Sequence, residues 1–88
     1  MTANLIAVIG SVTTAVRLEK YLHKKHAVSS KTFRTPSELG ASGCSYSIKT
    51  KGEHLPLVIE CAKDLKIKIK GIYFSEFSDG KEVYHALS

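Results

Sequence analysis

LIAVIGSVT, the stretch from Leu5 to Thr13, decides the fold of this 88-residue chain. Its first five residues are an unbroken apolar run, which predicts a strand at residues 5–9 that is buried on both faces or nearly so. Gly10 ends the run. We expect Thr13 to cap a following helix, because apolar residues then recur at helical spacing to about Lys25. The first unit is therefore a central strand that leads directly into a helix.

Two more strands and a second helix are predicted beyond this unit. Residues 28–34 are rich in β-branched and aromatic side chains, as in an edge strand, and a single helical turn is expected at residues 35–40. Residues 44–50 alternate between apolar and polar side chains, which predicts a strand with one face towards a core. After Gly52, a second helix is predicted from apolar residues at helical spacing: Leu55, Val58, Ile59, Ala62 and Leu65.

The last quarter of the chain predicts two further strands. Residues 66 to about 74 alternate Lys and Ile before Gly71 shifts the pattern, so the fourth strand is expected there. The turn sequence Ser-Asp-Gly-Lys at residues 78–81 precedes a short fifth strand at residues 82–87.

The resulting order β-α-β-β-α-β indicates one α+β domain over residues 1–88 with the ferredoxin-like fold. That fold has an antiparallel sheet with two helices on one face and the strand order 4-1-3-2. The fifth strand would be a C-terminal addition to it.

Composition restricts the class of protein. The chain is 43% hydrophobic and 24% charged, which indicates an ordinary globular domain, large enough for one core and too small for a cleft between domains. The apolar run at residues 5–9 is too short for a signal peptide or a membrane span, and two cysteines without a disulfide framework suit a reducing compartment. We therefore expect a cytoplasmic protein without membrane association.

The net charge of +5 raises the question of nucleic-acid binding, because Lys and Arg neutralise phosphates. The basic residues are scattered, however, and three of them oppose the dipole at the end of the first helix: Lys20, Lys24 and Lys25. Nucleic acid is therefore not the expected partner.

Cys44 is the candidate functional residue. It lies between a turn-rich segment and the third strand, where a thiol can be reached, whereas Cys61 lies in the second helix and is expected to pack as a small hydrophobe. In the strand order 4-1-3-2, the start of strand 3 lies beside the end of strand 1. Cys44 would then point towards the helix layer near the N-terminus of the first helix, which favours the thiolate over the thiol.

The residues expected to support a thiolate or a bound anion are Ser11, Thr13, Thr14, Arg34 and Gly43. The three hydroxyls can donate hydrogen bonds, Arg34 adds positive charge, and Gly43 directly precedes the cysteine. Helix capping and a solvated charge explain the same residues without any function, and Cys44 itself can be a packed strand residue, so both interpretations stay open. A thiolate beside an anion-accepting loop is what a persulfide or selenide carrier needs.

Hydrolysis and metal chemistry are disfavoured by the spacing of the histidines. His23, His26 and His54 are expected at the end of the domain opposite Cys44, and only His85 stays open as its partner. None of the familiar metal-ligand spacings is present, and no cofactor is expected. A carrier or accessory protein is therefore favoured over a stand-alone enzyme.

A series of short motifs, taken in order, resembles one protein family. The motifs are Ile9-Gly10-Ser11-Val12-Thr13-Thr14-Ala15 with Glu19 and Leu22, then Thr35-Pro36-Ser37-Glu38-Leu39, Gly43-Cys44 and Gly71-Ile72-Tyr73. They resemble the selenium/sulfur carrier-like proteins over about residues 5–74, which leaves residues 75–88 as a tail. The resemblance implies that Cys44 is the carrier thiol and that a cysteine desulfurase-type donor and an acceptor protein are its partners. Ser45 stands where that family commonly has glycine.

Two other functions stay open. One is a binding module whose open sheet face, with Ser45, Ser47, Lys49 and the lysines of the fourth strand, binds RNA or an acidic protein, although stacking aromatics are not expected there. The other is a regulatory or assembly domain that forms a homodimer through the tail strand.

Overall fold

A computed structural model describes residues 4–39 and 45–87, which form one five-stranded antiparallel sheet with two α-helices packed on one face. The elements in chain order are β1 (Asn4–Gly10), α1 (Val12–His26), β2 (Lys31–Arg34), β3 (Tyr46–Lys51), α2 (Leu55–Asp64), β4 (Gly71–Ser78) and β5 (Lys81–Ala86). Short 3-10 turns at Ser37–Leu39 and Gly52–His54 follow β2 and β3.

The strands lie in the order β2-β3-β1-β4-β5, and every neighbouring pair is antiparallel. The predicted order 4-1-3-2 is therefore confirmed, with the fifth strand added at the edge beyond β4. The protein has the expected α+β, ferredoxin-like arrangement.

The core lies between β1 and the two helices. Leu5, Ala7 and Ile9 alternate along β1 and all belong to it, as period-two geometry requires of one strand face. The helices contribute Ala15, Leu18, Leu22, Val58, Cys61 and Ala62, each of them buried. Because full burial of a leucine stabilises a fold by about 1.5–3 kcal/mol, the apolar stripe of α1 is a large part of what holds the helix to the sheet.

The predicted boundaries are wrong in two connections. The fourth strand begins at Gly71 rather than at residue 66, because Lys66 adopts the left-handed backbone conformation (φ 56°) and the Ile67 N–H returns to the Ala62 carbonyl at 2.8 Å. The alternating Ile67 and Ile69 still pack against the core, but from a connecting segment.

The second strand begins at Lys31 rather than at residue 28. Ala27 ends α1 in the left-handed conformation (φ 55°), and its N–H bonds to the His23 carbonyl, so the chain needs several residues to re-enter the sheet.

The face of the sheet away from the helices, here called the open face, is not the fully solvent-exposed polar surface that the sequence indicates. Ile6 and Ser47 on this open face are fully buried, and an ion pair of 2.8 Å joins Lys49 on β3 to Glu82 on β5, with β1 and β4 between them. The register also places aromatic side chains on it, contrary to our expectation: Phe33, Tyr73 and Tyr84.

The turn between β4 and β5 is a two-residue hairpin turn. Asp79 (φ 52°) and Gly80 (φ 78°) both have positive φ, which is the type I′ geometry that matches the twist of paired strands. The turn predicted at residues 78–81 is therefore present. Neither α1 nor α2, both described in full, is long and apolar enough to cross a membrane.

Candidate functional site

Three strands and one helix meet at the end of the sheet where β1 finishes, here called the α1 end. Gly10, the last residue of β1, pairs with Tyr46, the first residue of β3, and Arg34, the last residue of β2, pairs with Tyr46 on its other side. The register shifts between Val8 and Gly10, as at a β-bulge. The predicted juxtaposition of the end of strand 1, the start of strand 3 and the end of strand 2 is therefore confirmed.

Cys44 and Gly43 lie outside the described residues, so the position of the predicted carrier thiol is not part of the structure. The described chain resumes at Ser45, one residue after Cys44, and the Ser45 carbonyl accepts a hydrogen bond of 2.9 Å from the Thr35 N–H. The backbone that continues from Cys44 is therefore held to the end of β2, beside Arg34.

The N-terminus of α1 opens at the same end. Ser11, not Thr13 as predicted, is the N-cap: its backbone is extended, and its hydroxyl accepts from the Thr14 N–H at 3.5 Å. Thr13 lies in the first helical turn and is exposed. Within α1, which is described in full, the first turn carries no acidic residue, so the partial positive charge of the helix terminus is not offset there.

Lys70 is a member of this end that the sequence does not single out. Its N–H donates to the Val8 carbonyl at 2.8 Å, and its side chain extends over Gly10, where the Nζ atom lies 3.0 Å from the position a Cβ would occupy. From the alternating Lys-Ile pattern, residue 70 is expected to be a lysine in the middle of the fourth strand. To find it from the sequence, the antiparallel pairing of β1 with β4 has to be combined with the true start of β4 at Gly71, which lies opposite Val8.

Three hydroxyl side chains connect the residue that follows β2 to the residues through which the chain enters β3. The Thr35 Oγ1 atom donates to Ser45 Oγ at 3.3 Å and shares a second hydrogen bond with Ser47 Oγ. Thr35 and Ser47 are both buried, so these bonds satisfy polar groups that water does not reach. The cluster fixes the direction in which the chain enters β3, next to the candidate cysteine.

The predicted supporting residues therefore divide into three groups. Ser11, Thr14 and Arg34 lie at the α1 end, with Ser11 and Thr14 engaged in capping. Thr13 lies in the same helical turn without a capping role, and Gly43 is outside the described residues. Lys70 is added to the set by the structure.

Cys61 is a core residue, as its place in the helical pattern predicts. Its side chain is fully buried among the apolar residues of α1 and α2, and burial raises the pKa of the thiol, opposed in part by the charge of Lys25. A buried thiol with a raised pKa is a poor nucleophile at neutral pH.

The histidines lie where the sequence predicts. His23 and His26 are in the last turn of α1, and His54 follows β3, whose final residue pairs with Asn4 at the far end of β1. His85, on β5, contacts Glu76 at 3.1 Å. Among residues 4–39 and 45–87, no three His, Cys, Asp or Glu side chains are grouped as metal ligands.

The comparison with protein-family models decides the family. The model described as "Putative Se/S carrier protein-like" matches residues 4–74. This chain belongs to that family. No curated protein and no solved structure matches the chain.

The family match covers β1 through the first half of β4 and includes every element that meets at the α1 end. It stops before β5, so the terminal strand lies outside the part of the chain that defines the family.

Proposed function

We propose that this protein carries sulfur or selenium on Cys44, as a persulfide or a selenylsulfide. Membership of the carrier-like family is the observation that carries the proposal. The α1 end supports it, because the N-terminus of α1, Arg34 and Lys70 bring positive charge to the place where the chain leaves Cys44. Positive charge and unpaired helix N–H groups favour a thiolate over a thiol.

The proposed transfer is an exchange at a sulfur–sulfur bond. The Cys44 thiolate attacks the outer sulfur of a persulfide on the donor protein, so that a bond forms between the two sulfurs and the donor's sulfur–sulfur bond breaks. The donor cysteine leaves as a thiolate, and no oxidant or reductant is consumed. For selenium, the outer atom is selenium and the bond that forms is sulfur–selenium.

The product is an anion as well, because a persulfide or selenide on Cys44 is ionised at neutral pH. The same positive groups that ionise the thiol would therefore hold the loaded form. Cys61 cannot serve as the carrier thiol in place of Cys44, since its side chain is fully buried in the core. We take a cysteine desulfurase-type enzyme as the donor, and an acceptor protein would take the sulfur or selenium onward.

Intact-mass spectrometry tests the proposal. The protein is incubated with a cysteine desulfurase and cysteine, and the expected result is an added sulfur atom that a thiol reductant removes. Cys44→Ser should abolish the adduct. Cys61→Ala, which removes the other thiol, should keep it. An adduct on Cys61, or none on the native protein, would contradict the carrier function.

A second candidate function is single-stranded RNA binding by the open face. Phe33, Tyr73 and Tyr84 lie there with Lys31 and Lys49, and aromatic faces with lysines are how ferredoxin-like sheets stack bases and neutralise phosphates. Against it, Glu82 already pairs with Lys49. RNA binding that weakens steeply with added salt and persists in Cys44→Ser would favour this function over the carrier.

A further inference from the structure

The two edges of the sheet differ in how their backbone groups are satisfied. At the β2 edge, Phe33 pairs with Ser47, and the Thr35 N–H bonds inward to the Ser45 carbonyl. The N–H groups of an antiparallel strand point towards and away from its neighbour in alternation, so the Thr32 N–H points outward. That N–H donates to the Glu19 carboxylate at 2.7 Å, and the Thr32 hydroxyl does the same. A side chain from α1 therefore occupies the middle of this edge.

The β5 edge has no such cover among the described residues. The Leu87 N–H bonds inward to the Ile72 carbonyl at 2.9 Å, so by the same alternation the N–H and C=O groups of Glu82, Tyr84 and Ala86 point outward. Among the described residues, side chains bond to the backbone at Thr14, Thr32 and Ser29. None of these bonds covers an outward group of β5. An uncovered edge is a template for pairing with another strand.

Apolar exposure is concentrated on the same hairpin. Phe77 is 66% exposed, Leu87 45% and Val83 37%, and only Val12 and Ile59 elsewhere in the described residues are comparable large exposed hydrophobics. Val83 is in the middle of β5, where natural edge strands commonly carry a charge or proline against unwanted pairing.

We propose that two copies of this chain pair through β5, antiparallel and in register about Tyr84, to form one continuous sheet. This register uses all three outward-facing residues: Tyr84 lies opposite Tyr84 of the partner subunit, and Glu82 lies opposite Ala86 of the partner subunit. Each such pair exchanges two backbone hydrogen bonds. The proposal is independent of the carrier function.

A second copy fits this edge, because the three outward-facing residues are symmetric about Tyr84 and every outward N–H and C=O group of one strand meets one of the other. Val83 lies opposite His85 of the partner subunit, and no two like charges are opposed. A register centred on Val83 would use only two outward residues and would oppose Lys81 to His85 of the partner subunit. The strand also lies outside the family match, so the interface would be a property of this chain rather than of the matched region.

One short strand edge is a small interface, so the association should be weak and concentration-dependent. Sedimentation velocity should therefore show a rise from the mass of one chain towards two as concentration increases to about 1 mM. A single-chain mass throughout this range would overturn the proposal and leave the edge to a strand from a different protein.

A matched pair of variants tests the backbone bonds. Tyr84→Ala and Tyr84→Pro both remove the phenol, but only proline also removes the outward N–H, and an edge strand tolerates proline at such a position. Tyr84→Ala should still associate, whereas Tyr84→Pro should stay monomeric, with circular dichroism confirming the fold. Equal association of the two variants would overturn the proposal.

A disulfide test does not depend on proline being tolerated. In a Cys44→Ser background, Tyr84→Cys places two thiols directly opposite each other at the Cα separation of about 5.5 Å that a disulfide accepts. Lys81→Cys is the control, because its two copies would be about 20 Å apart along the strands. Under mild oxidation only Tyr84→Cys should give a covalent dimer, and equal cross-linking at both positions would contradict the register.

Discussion

Gly10 joins the end of β1 to the cap of α1, and its backbone conformation favours glycine. Its φ of +111° is a value that other residues rarely adopt, and the Lys70 Nζ atom lies 3.0 Å from the position a Cβ would take, which is a tight contact. The sequence shows Gly10 only as the end of an apolar run. The close approach of Lys70 depends on pairing between strands far apart in the chain.

Gly10→Ala should lower the free energy of unfolding by about 1–3 kcal/mol, mainly because of backbone strain. The lysine end is flexible, so the steric part should be small. Urea unfolding of Gly10→Ala alone and together with Lys70→Ala measures the two parts. A loss below about 0.5 kcal/mol would mean that the backbone at this position is not strained.

Glu19 acts at the scale of an element, because it satisfies the outward N–H of the β2 edge from a neighbouring helix. Its position beside the apolar stripe of α1 suggests an ion pair, but the structure shows hydrogen bonds to Thr32 instead. Which N–H groups of a strand face outward depends on register, so the sequence alone could not identify this contact.

Glu19→Ala should destabilise the protein by about 1.5 kcal/mol, since two hydrogen bonds from Thr32 to a charged acceptor are lost and water replaces them only in part. Glu19→Gln keeps an acceptor oxygen and should retain most of the stability. Thermal or urea unfolding of the two variants separates them. Equal losses would mean that the acceptor does not stabilise the edge.

The C-terminal ends of α1 and α2 are joined by an ion pair of 2.8 Å between Lys25 and Asp64, and the Tyr21 hydroxyl also donates to Asp64. The hydrogen bond from Lys25, followed by that from Tyr21, lowers the pKa of the Asp64 carboxyl below its ordinary value. A lowered carboxyl pKa gives stability that is complete above the unfolded value of about 3.9 and is lost as pH falls through the folded value.

Native protein should therefore lose stability more steeply than Asp64→Asn as pH falls below about 4. Unfolding midpoints in urea across that range measure the difference. Glu60→Gln, which removes an exposed carboxylate from the same helix and keeps the pair, should follow the native curve. Parallel curves for native protein and Asp64→Asn would show that the pair does not stabilise the fold.

At the scale of the whole molecule, the sequence predicts the order of elements and the sheet topology well. The unbroken run of β1 and the helical spacing of α1 and α2 are local signatures that burial in the core preserves. The Asp-Gly turn is exposed, and its signature is that both residues accept positive φ. Periodicity fails at residues 66–70, because alternating Lys and Ile fit a connection packed against the core as well as a strand. The left-handed backbone of Lys66 and the return of the Ile67 N–H to the Ala62 carbonyl distinguish the two.

The meeting of β1, β2, β3 and α1 at the α1 end was predictable from the sequence, but one of the positive charges there was not. Strand order alone places the start of β3 beside α1, and Arg34 follows from the same topology. The position of Lys70 does not follow from topology. It lies over Gly10 because β4 begins at Gly71, and the sequence predicts an earlier start. The true N-cap differs as well: Ser11 and Thr13 are both capping residue types, and the structure uses serine, the more favoured of the two.

The most direct test of the central claim, that Cys44 works as a thiolate at a positive end of the fold, is its pKa. The rate of alkylation by iodoacetamide against pH measures it, with Cys61→Ala leaving a single thiol. We expect a pKa below the ordinary value of about 8.5, rising by a few tenths of a unit to about one unit in Arg34→Gln and in Lys70→Gln. Lys63→Gln, on the far side of the domain, is the control and should leave it unchanged. A Cys44 pKa at or above the ordinary value, unmoved by either substitution, would contradict the account.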